Sequence, residues 1–363
     1  MRAASSRNVN TVASERQEVT PPGPPALRLG IVGSGLIAAV TARAAAAAAG
    51  CDVVAVSARR LEVARAFATE HGIHHAFDDW RALLAAPEVD AVYVATPTAP
   101  REEICVRAAQ LGKHVLAEKP FASLASLRRI TAACRQHGVA FLDATHFVHH
   151  PRTALLKAQL ADRIGAVQAV RSCFFFPSMD RGNIRFNPAQ EPSGAIGDMA
   201  WYAMRAVVEF GPPDAALVAS SGFVQHDPAT GAAVRGAGVL MLAGGCTSTW
   251  DAGYNTGAFT MDLQLLGERG AITLDDFVLD WAHSAPPPLP GHATGFSLRA
   301  GVVNAAAFEW VDTPAAQPQN VAMVEHFVRL ARDPRGRRAV ASAQASERTQ
   351  GLLDAVWQGL RPV

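Results

Sequence analysis

The sequence predicts an α/β chain of two domains. The first carries a parallel sheet with helices on both faces, and the second is built on a large, open, mainly antiparallel sheet. Two observations carry this reading. Between residues 27 and 145, short β-branched runs alternate with helical stretches, which is the mark of βαβ units. After about Thr145 the runs lengthen, alternate with period two and have fewer helices between them. The length of 363 residues agrees, since one core rarely serves a chain so long.

In the first domain, strands are expected at residues 27–32, 52–57, 75–77, 91–95, 114–117 and 140–142. Helices are expected at 36–49, closed by Gly50, and at 62–70, 101–111 and 124–137. In the second, the runs 167–176, 216–224, 238–250 and 261–266 read as strands, and 323–331 and 343–357 as closing helices. The segment 284–289 is proline-rich and reads as a loop. The division that follows is a disordered tail at 1–26, a dinucleotide-binding domain at 27–145 and a substrate and oligomerisation domain at 146–363.

Composition narrows the function classes. Hydrophobic residues make up 49% and charged residues 18%, as in a globular protein. The net charge of +1 provides no field for a polyanion, so nucleic acid is not an expected partner. No apolar run approaches the roughly 20 residues that a membrane span needs. Residues 1–25 are polar and proline-containing without an apolar stretch. The five cysteines are dispersed and form no C-x-x-C pair, which fits a reducing compartment and a cytoplasmic protein.

The strongest local motif follows the first strand. Gly33-Ser34-Gly35-Leu36-Ile37-Ala38 is a G-x-G-x-x-A turn opening the first helix. Gly33 allows the tight turn, Gly35 lets a pyrophosphate approach the backbone, and Ala38 lets helix and strand pack closely. The helix start at Leu36 and Ile37 then offers free N–H groups to the phosphates. The end of the second strand decides which dinucleotide fits. A carboxylate there would suit NAD, but the sequence reads Ser57-Ala58-Arg59-Arg60, and Asp52 lies at the wrong end. A hydroxyl with guanidinium groups suits the 2′-phosphate of NADP. Arg59 and Arg60 as solvated helix-start charges are the plainer alternative.

Thr96-Pro97 after the fourth strand and Gly112-Lys113-His114-Val115-Leu116-Ala117-Glu118-Lys119-Pro120 around the fifth resemble the Gfo/Idh/MocA oxidoreductases. In the second half, Gly194-Ala195-Ile196-Gly197-Asp198-Met199-Ala200-Trp201-Tyr202 is similar to that family's Asp-containing segment, with Tyr202 where many members have histidine. This resembles the branch that holds glucose-fructose oxidoreductase, dimeric dihydrodiol dehydrogenase and NADP-dependent xylose dehydrogenase. Arg101, Ala200 and Arg205 depart from the common pattern. The resemblance implies an NAD(P)-dependent enzyme acting on a sugar-like or cyclic alcohol or ketone, assembled as a homodimer or homotetramer. Thr96, Pro97, Glu118 and Lys119 would lie against the cofactor.

The same resemblance makes Lys119, Tyr202 and Asp198 the catalytic candidates. Lys119 follows a strand end facing the crevice, where its cation could polarise a carbonyl or assist a phenol. Asp198 lies four residues before Tyr202, a spacing that shares a helix face. His146, Arg152 and Arg185 are candidates for the substrate side. The run His146, His149, His150 abuts Pro151 and lacks a neighbouring carboxylate, so no metal is expected there. Redox-assisted elimination or glycoside cleavage, and a nucleotide-sensing regulator, remain alternatives. A regulator would not need to keep Lys119 and Tyr202.

Overall fold

The computed structural model describes residues 24–283, 289 and 291–363. Most of the expected tail, residues 1–23, and most of the expected proline-rich loop, residues 284–288, lie outside the described residues. The first sheet comprises β1 (Leu27–Val32), β2 (Cys51–Ser57), β3 (His75–Phe77), β4 (Ala91–Val94), β5 (His114–Ala117) and β6 (Phe141–Asp143). Their order is β3-β2-β1-β4-β5-β6 and every neighbour pair is parallel. This is the Rossmann order. The strand order reverses between β1 and β4, and beyond the carboxyl ends of strands at such a switch point this fold places its ligand crevice. Strands and helices fall within a few residues of expectation, apart from the unforeseen short helix Trp80–Ala85, capped by Asp79.

The second sheet has nine strands: β7 (Val167–Phe175), β8 (Leu217–His226), β9 (Ala233–Leu242), β10 (Thr247–Gly253), β11 (Leu263–Gly267), β12 (Gly270–Leu274), β13 (Gly295–Ala300), β14 (Glu309–Asp312) and β15 (Leu360–Pro362). Their order is β14-β13-β12-β11-β7-β10-β9-β8-β15. Only β7–β10 and β8–β15 pair in parallel, so the sheet is mainly antiparallel, as expected. The single strand expected over 238–250 is instead the end of β9 and most of β10. Gly244 and Gly245, at φ +88° and +89°, turn the chain between them. The helix Pro151–Ile164 was also not foreseen. Its first residue is a proline, which needs no N–H partner, and His150 Nδ1 accepts the N–H of Arg152.

Two features position the site. The helix Trp201–Phe210 is almost wholly buried against the inner face of the nine-stranded sheet. Arg205 on this helix donates to Asp143 at the end of β6 (2.9 Å) and to Glu209 (2.8 Å). Trp201 Nε1 donates to Thr145 Oγ1 at 2.7 Å. The helix is therefore fastened to the mouth of the first sheet. The closing helix Gln319–Arg332 buries Val324, Phe327 and Val328 in one cluster with Leu29, Ile31 and Phe67, so this late helix shares a core with the first strand. On the other face of the large sheet, Val239 and Met241 are left exposed.

Candidate active site

The carboxyl ends of β1, β2 and β4 carry the residues expected to hold a dinucleotide. Gly33 sits at φ +117°, and a Cβ there would lie 2.9 Å from the carbonyl oxygen of Ala95. Only glycine fits this turn without displacing the neighbouring strand end. Gly35 is the N-cap of the helix Leu36–Ala47, and the space around it is open. Leu36 and Ile37 are exposed there, whereas Ala38 is buried against the sheet. Beyond β2 and β4, two hydroxyl oxygens, Ser57 Oγ and Thr96 Oγ1, are buried without a partner. Arg59 and Arg60 lie exposed just beyond Ser57, with no carboxylate between residues 57 and 60. Orphan hydroxyls and a glycine cradle together fit a nucleotide that supplies their missing partners.

Across the crevice lies a compact charged cluster. Lys119 follows β5 and is 9% exposed. Its Nζ donates to Asp198 Oδ1 at 2.5 Å and to the Asp198 carbonyl at 2.9 Å. The same ammonium stands 4.7 Å from the centre of the Tyr202 ring. Arg185 Nε donates to Asp198 Oδ2 at 2.8 Å, and Tyr254 Oη donates to that oxygen at 3.2 Å. Burial opposes charge on both sides of the Lys119–Asp198 pair, but mutual attraction wins. The lysine is held above its ordinary range and the aspartate far below its own, with Arg185 helping to depress the latter. Asp198 lies in a π-helical segment, Ile196–Ala200, which runs straight into the helix carrying Tyr202. Such wide turns recur at functional sites.

Tyr202 is 6% exposed, and burial pushes its phenol up to about 12 despite the opposing pull of Lys119. Its ring packs against Phe174, Phe147 and His146, at 5.1, 6.2 and 5.8 Å between centroids. His146 Nε2 lies 3.3 Å from Tyr202 Oη. Beside Lys119, Glu118 accepts the Tyr93 hydroxyl at 2.6 Å, and burial raises its carboxyl. Of the expected substrate-side residues, His146 and Arg185 thus meet Tyr202 and Asp198. Arg152 does not: it is 1% exposed and engaged with Asp276 through the side chain at 3.2 Å and the carbonyl at 3.0 Å. Arg101, noted as a departure in the sequence, is buried and donates to the carbonyls of Thr96 and Pro120, so it braces the two turns lining the crevice.

Sequence reasoning missed three participants. Tyr254 closes the far side of Asp198, just past the end of β10, and a lone tyrosine at a strand end gives no local signal. Glu191 accepts the N–H of Thr98 at 3.1 Å and its hydroxyl at 2.6 Å, which ties a loop of the second domain to the start of the helix Thr98–Gln110. The carboxylate satisfies the helix's free N–H and complements its dipole. Gln319 contacts His146 from the closing helix.

Residues 27–145 match the oxidoreductase family with an NAD-binding Rossmann fold, Gfo/Idh/MocA, and residues 154–273 match the Gfo/Idh/MocA C-terminal domain. The chain belongs to this family. A dTDP-3,4-didehydro-2,6-dideoxy-alpha-D-glucose 3-reductase from Streptomyces violaceoruber is 34% identical over 254 residues, covering 69% of this chain and 73% of that protein. A D-xylose 1-dehydrogenase (NADP(+)) from Haloferax volcanii is 30% identical, covering 63% of this chain and 70% of its own length. Among solved structures, the 3-ketoreductase KijD10 from Actinomadura kijaniata, in complex with NADP and TDP-benzene, superposes with a TM-score of 0.82. It is 25% identical, with 93% of this chain and 99% of that one covered. Among the described residues, no helix is long and apolar enough to cross a membrane.

Proposed function

We propose that this chain is an NADP-dependent dehydrogenase or reductase that interconverts a hydroxyl and a carbonyl on a sugar-like or cyclic substrate. The single observation that carries the reading is the Lys119 ammonium held by Asp198 over the ring of Tyr202, beside a crevice with a glycine cradle. When bound, the nicotinamide exchanges a hydride with the substrate carbon. The protein must then polarise the oxygen and move one proton.

Lys119, kept charged by Asp198, polarises a carbonyl oxygen placed at the crevice floor. Tyr202, with its phenol raised by burial, is a proton-loaded acid at neutral pH and is set to donate when the carbonyl is reduced. As its proton leaves, the neighbouring ammonium stabilises the phenolate, so the acid strengthens when it is needed. Arg185 and Tyr254 hold the other oxygen of Asp198 and so fix the carboxylate that holds Lys119. Ser57 and Arg59 would take the 2′-phosphate. The names of the Streptomyces and Haloferax relatives, a sugar reductase and an NADP(+)-dependent sugar dehydrogenase, support the substrate class and the cofactor.

The test is a panel of aldoses, keto-sugars and cyclic diols with both dinucleotides, followed by reduced-nicotinamide absorbance. Tyr202→Phe should lower turnover on the best substrate by about 100- to 10,000-fold while NADP still binds, the range for a positioned proton donor. Lys119→Ala should cost at least as much. Near-normal turnover in Tyr202→Phe would remove the tyrosine from the proton step.

A further inference from the structure

Gln319 is the first residue of the helix Gln319–Arg332 and is 1% exposed. Its amide nitrogen lies 2.8 Å from the Val278 carbonyl oxygen and 2.7 Å from His146 Nδ1. A carbonyl oxygen can only accept, so the group facing Val278 must be the NH2 and not the amide oxygen. One amide hydrogen goes to Val278 and the other to His146 Nδ1, which therefore carries a lone pair. Burial, with Lys119 nearby, pushes the His146 imidazole down to about 3, so the ring is neutral at physiological pH. A neutral ring with a bare Nδ1 has its hydrogen on Nε2, and Nε2 is the atom 3.3 Å from Tyr202 Oη.

The direction of this contact matters. With Nε2–H donating, the phenol oxygen is an acceptor towards His146, and its own hydrogen is left to point elsewhere. In the opposite tautomer Nε2 would accept the phenolic hydrogen and turn the acid away from the crevice. We propose that Gln319 and His146 are positioning residues that set the orientation of the Tyr202 hydroxyl, Gln319 by fixing the His146 tautomer and His146 by donating to the phenol oxygen. The inference rests on the reading of Tyr202 as the proton-transferring group. In carbonyl reduction the Tyr202 O–H bond breaks and an O–H bond forms on the substrate oxygen. The electron pair stays on Oη, where the His146 N–H and the Lys119 charge both stabilise it until water returns a proton. A glutamine at the head of a closing helix, 117 residues from Tyr202 in sequence, thereby aims the proton of the reaction.

The 15N resonances of the His146 ring test the first step in the wild-type protein, assigned by their loss in His146→Gln. A pyrrole-like Nε2 and a pyridine-like Nδ1, unchanged between pH 6 and 8, are expected. A ring protonated on Nδ1, or one that titrates in that range, would overturn the proposal. Gln319→Glu tests the second step, because a carboxylate, repelled by the Val278 carbonyl and turned to His146, can only accept and draws the hydrogen onto Nδ1. It should reverse the two 15N signatures and lower kcat on the best keto-sugar by about ten- to a hundredfold, with NADP affinity retained. In a Tyr202→Phe background the same substitution should change kcat less than twofold. An equal loss in that background, or unchanged kcat with the tautomer reversed, would overturn the proposal. The reading of Tyr202 fails on a different result: normal turnover of Tyr202→Phe alone.

Discussion

The two walls of the crevice are built on opposite plans. The dinucleotide wall is local in sequence, open and mostly backbone: Gly33 and Gly35 in one turn, with Ser57, Arg59 and Arg60 at the next strand end. The proton wall is assembled from Lys119, His146, Arg185, Asp198, Tyr202, Tyr254 and Gln319, and it is largely buried, charged and densely hydrogen-bonded. The first wall leaves open space at Gly35 and exposed cations at Arg59 and Arg60. The second has already satisfied nearly every polar group and keeps the phenol of Tyr202 for the reaction. Substitutions should therefore separate. On the proton wall, binding chemistry and stability fail together. On the dinucleotide wall, affinity changes while the fold does not notice.

The largest effect on stability is expected at Asp198. Asp198→Asn keeps the shape but leaves Lys119 and Arg185 facing a neutral amide in a buried setting. Breaking one member of such a group typically costs about 3–5 kcal/mol, much of it the stranded cations. The aspartate's depressed pKa means its contribution is fully present above the ordinary carboxylate value and is lost as pH falls towards the folded one. Chemical denaturation of Asp198→Asn against wild type at pH 7 should show the loss, and the gap should narrow in acid. Without Asp198, burial should also pull Lys119 down and shift the alkaline limb of the activity profile to lower pH. A loss under about 1 kcal/mol would mean that the cluster is not a unit.

The same contrast explains what could be read from sequence. The strands of the first sheet, the turn at Gly33 and the crevice beyond β4 are set by short-range pattern, so they were legible. Lys119, Tyr202 and Asp198 were reached through resemblance, not from spacing. Their geometry depends on a π-helical segment that no simple periodicity reveals. Tyr254 and Gln319 are brought to the site by pairings over scores of residues, and neither carries a local signature. Arg152 illustrates the converse. Its sequence neighbourhood suggested the substrate, but folding commits it to Asp276. The run 238–250 alternated well enough to hide two glycines at positive φ that end one strand and start another.

Taken singly and per pH unit, a smaller effect on stability should come from histidines on and behind the proton wall. Burial lowers His146 to about 3 and His326 to about 4, and lowers His149 strongly, with the rings of His326 and His149 packed at 5.1 Å between centroids. Each is neutral when folded but takes a proton when unfolded below about pH 6.5. The unfolded state then binds more protons, so stability should fall as pH drops from 6.5 to about 4, by up to roughly 1.4 kcal/mol per pH unit for each histidine. Unfolding midpoints at pH 7, 6 and 5 should show this slope, and His326→Gln should flatten it. A midpoint constant from pH 7 to 5 would contradict the buried neutral state.

The smallest effect on stability, and the sharpest on selectivity, belongs to the dinucleotide wall. Ser57 Oγ is buried without a partner, while Arg59 is exposed and Arg60 makes only a long, exposed contact of 3.4 Å with Glu62. None of these side chains holds the fold together. Arg59→Ala should therefore leave the unfolding midpoint within about 0.5 kcal/mol of wild type, as for surface changes away from packed features. A guanidinium that meets the 2′-phosphate makes a charge-assisted bond that NAD cannot offer. Arg59→Ala should thus weaken NADP binding by about tenfold or more, near 1.4 kcal/mol, and leave NAD binding almost unchanged. Ser57→Ala should act in the same direction, more weakly, because a neutral hydroxyl bond is worth less. Titrating both dinucleotides by protein fluorescence reads the difference directly. Equal weakening for the two would place Arg59 on the shared part of the nucleotide, and a wild-type preference for NAD would show that the absence of a carboxylate at positions 57 to 60 does not select the cofactor.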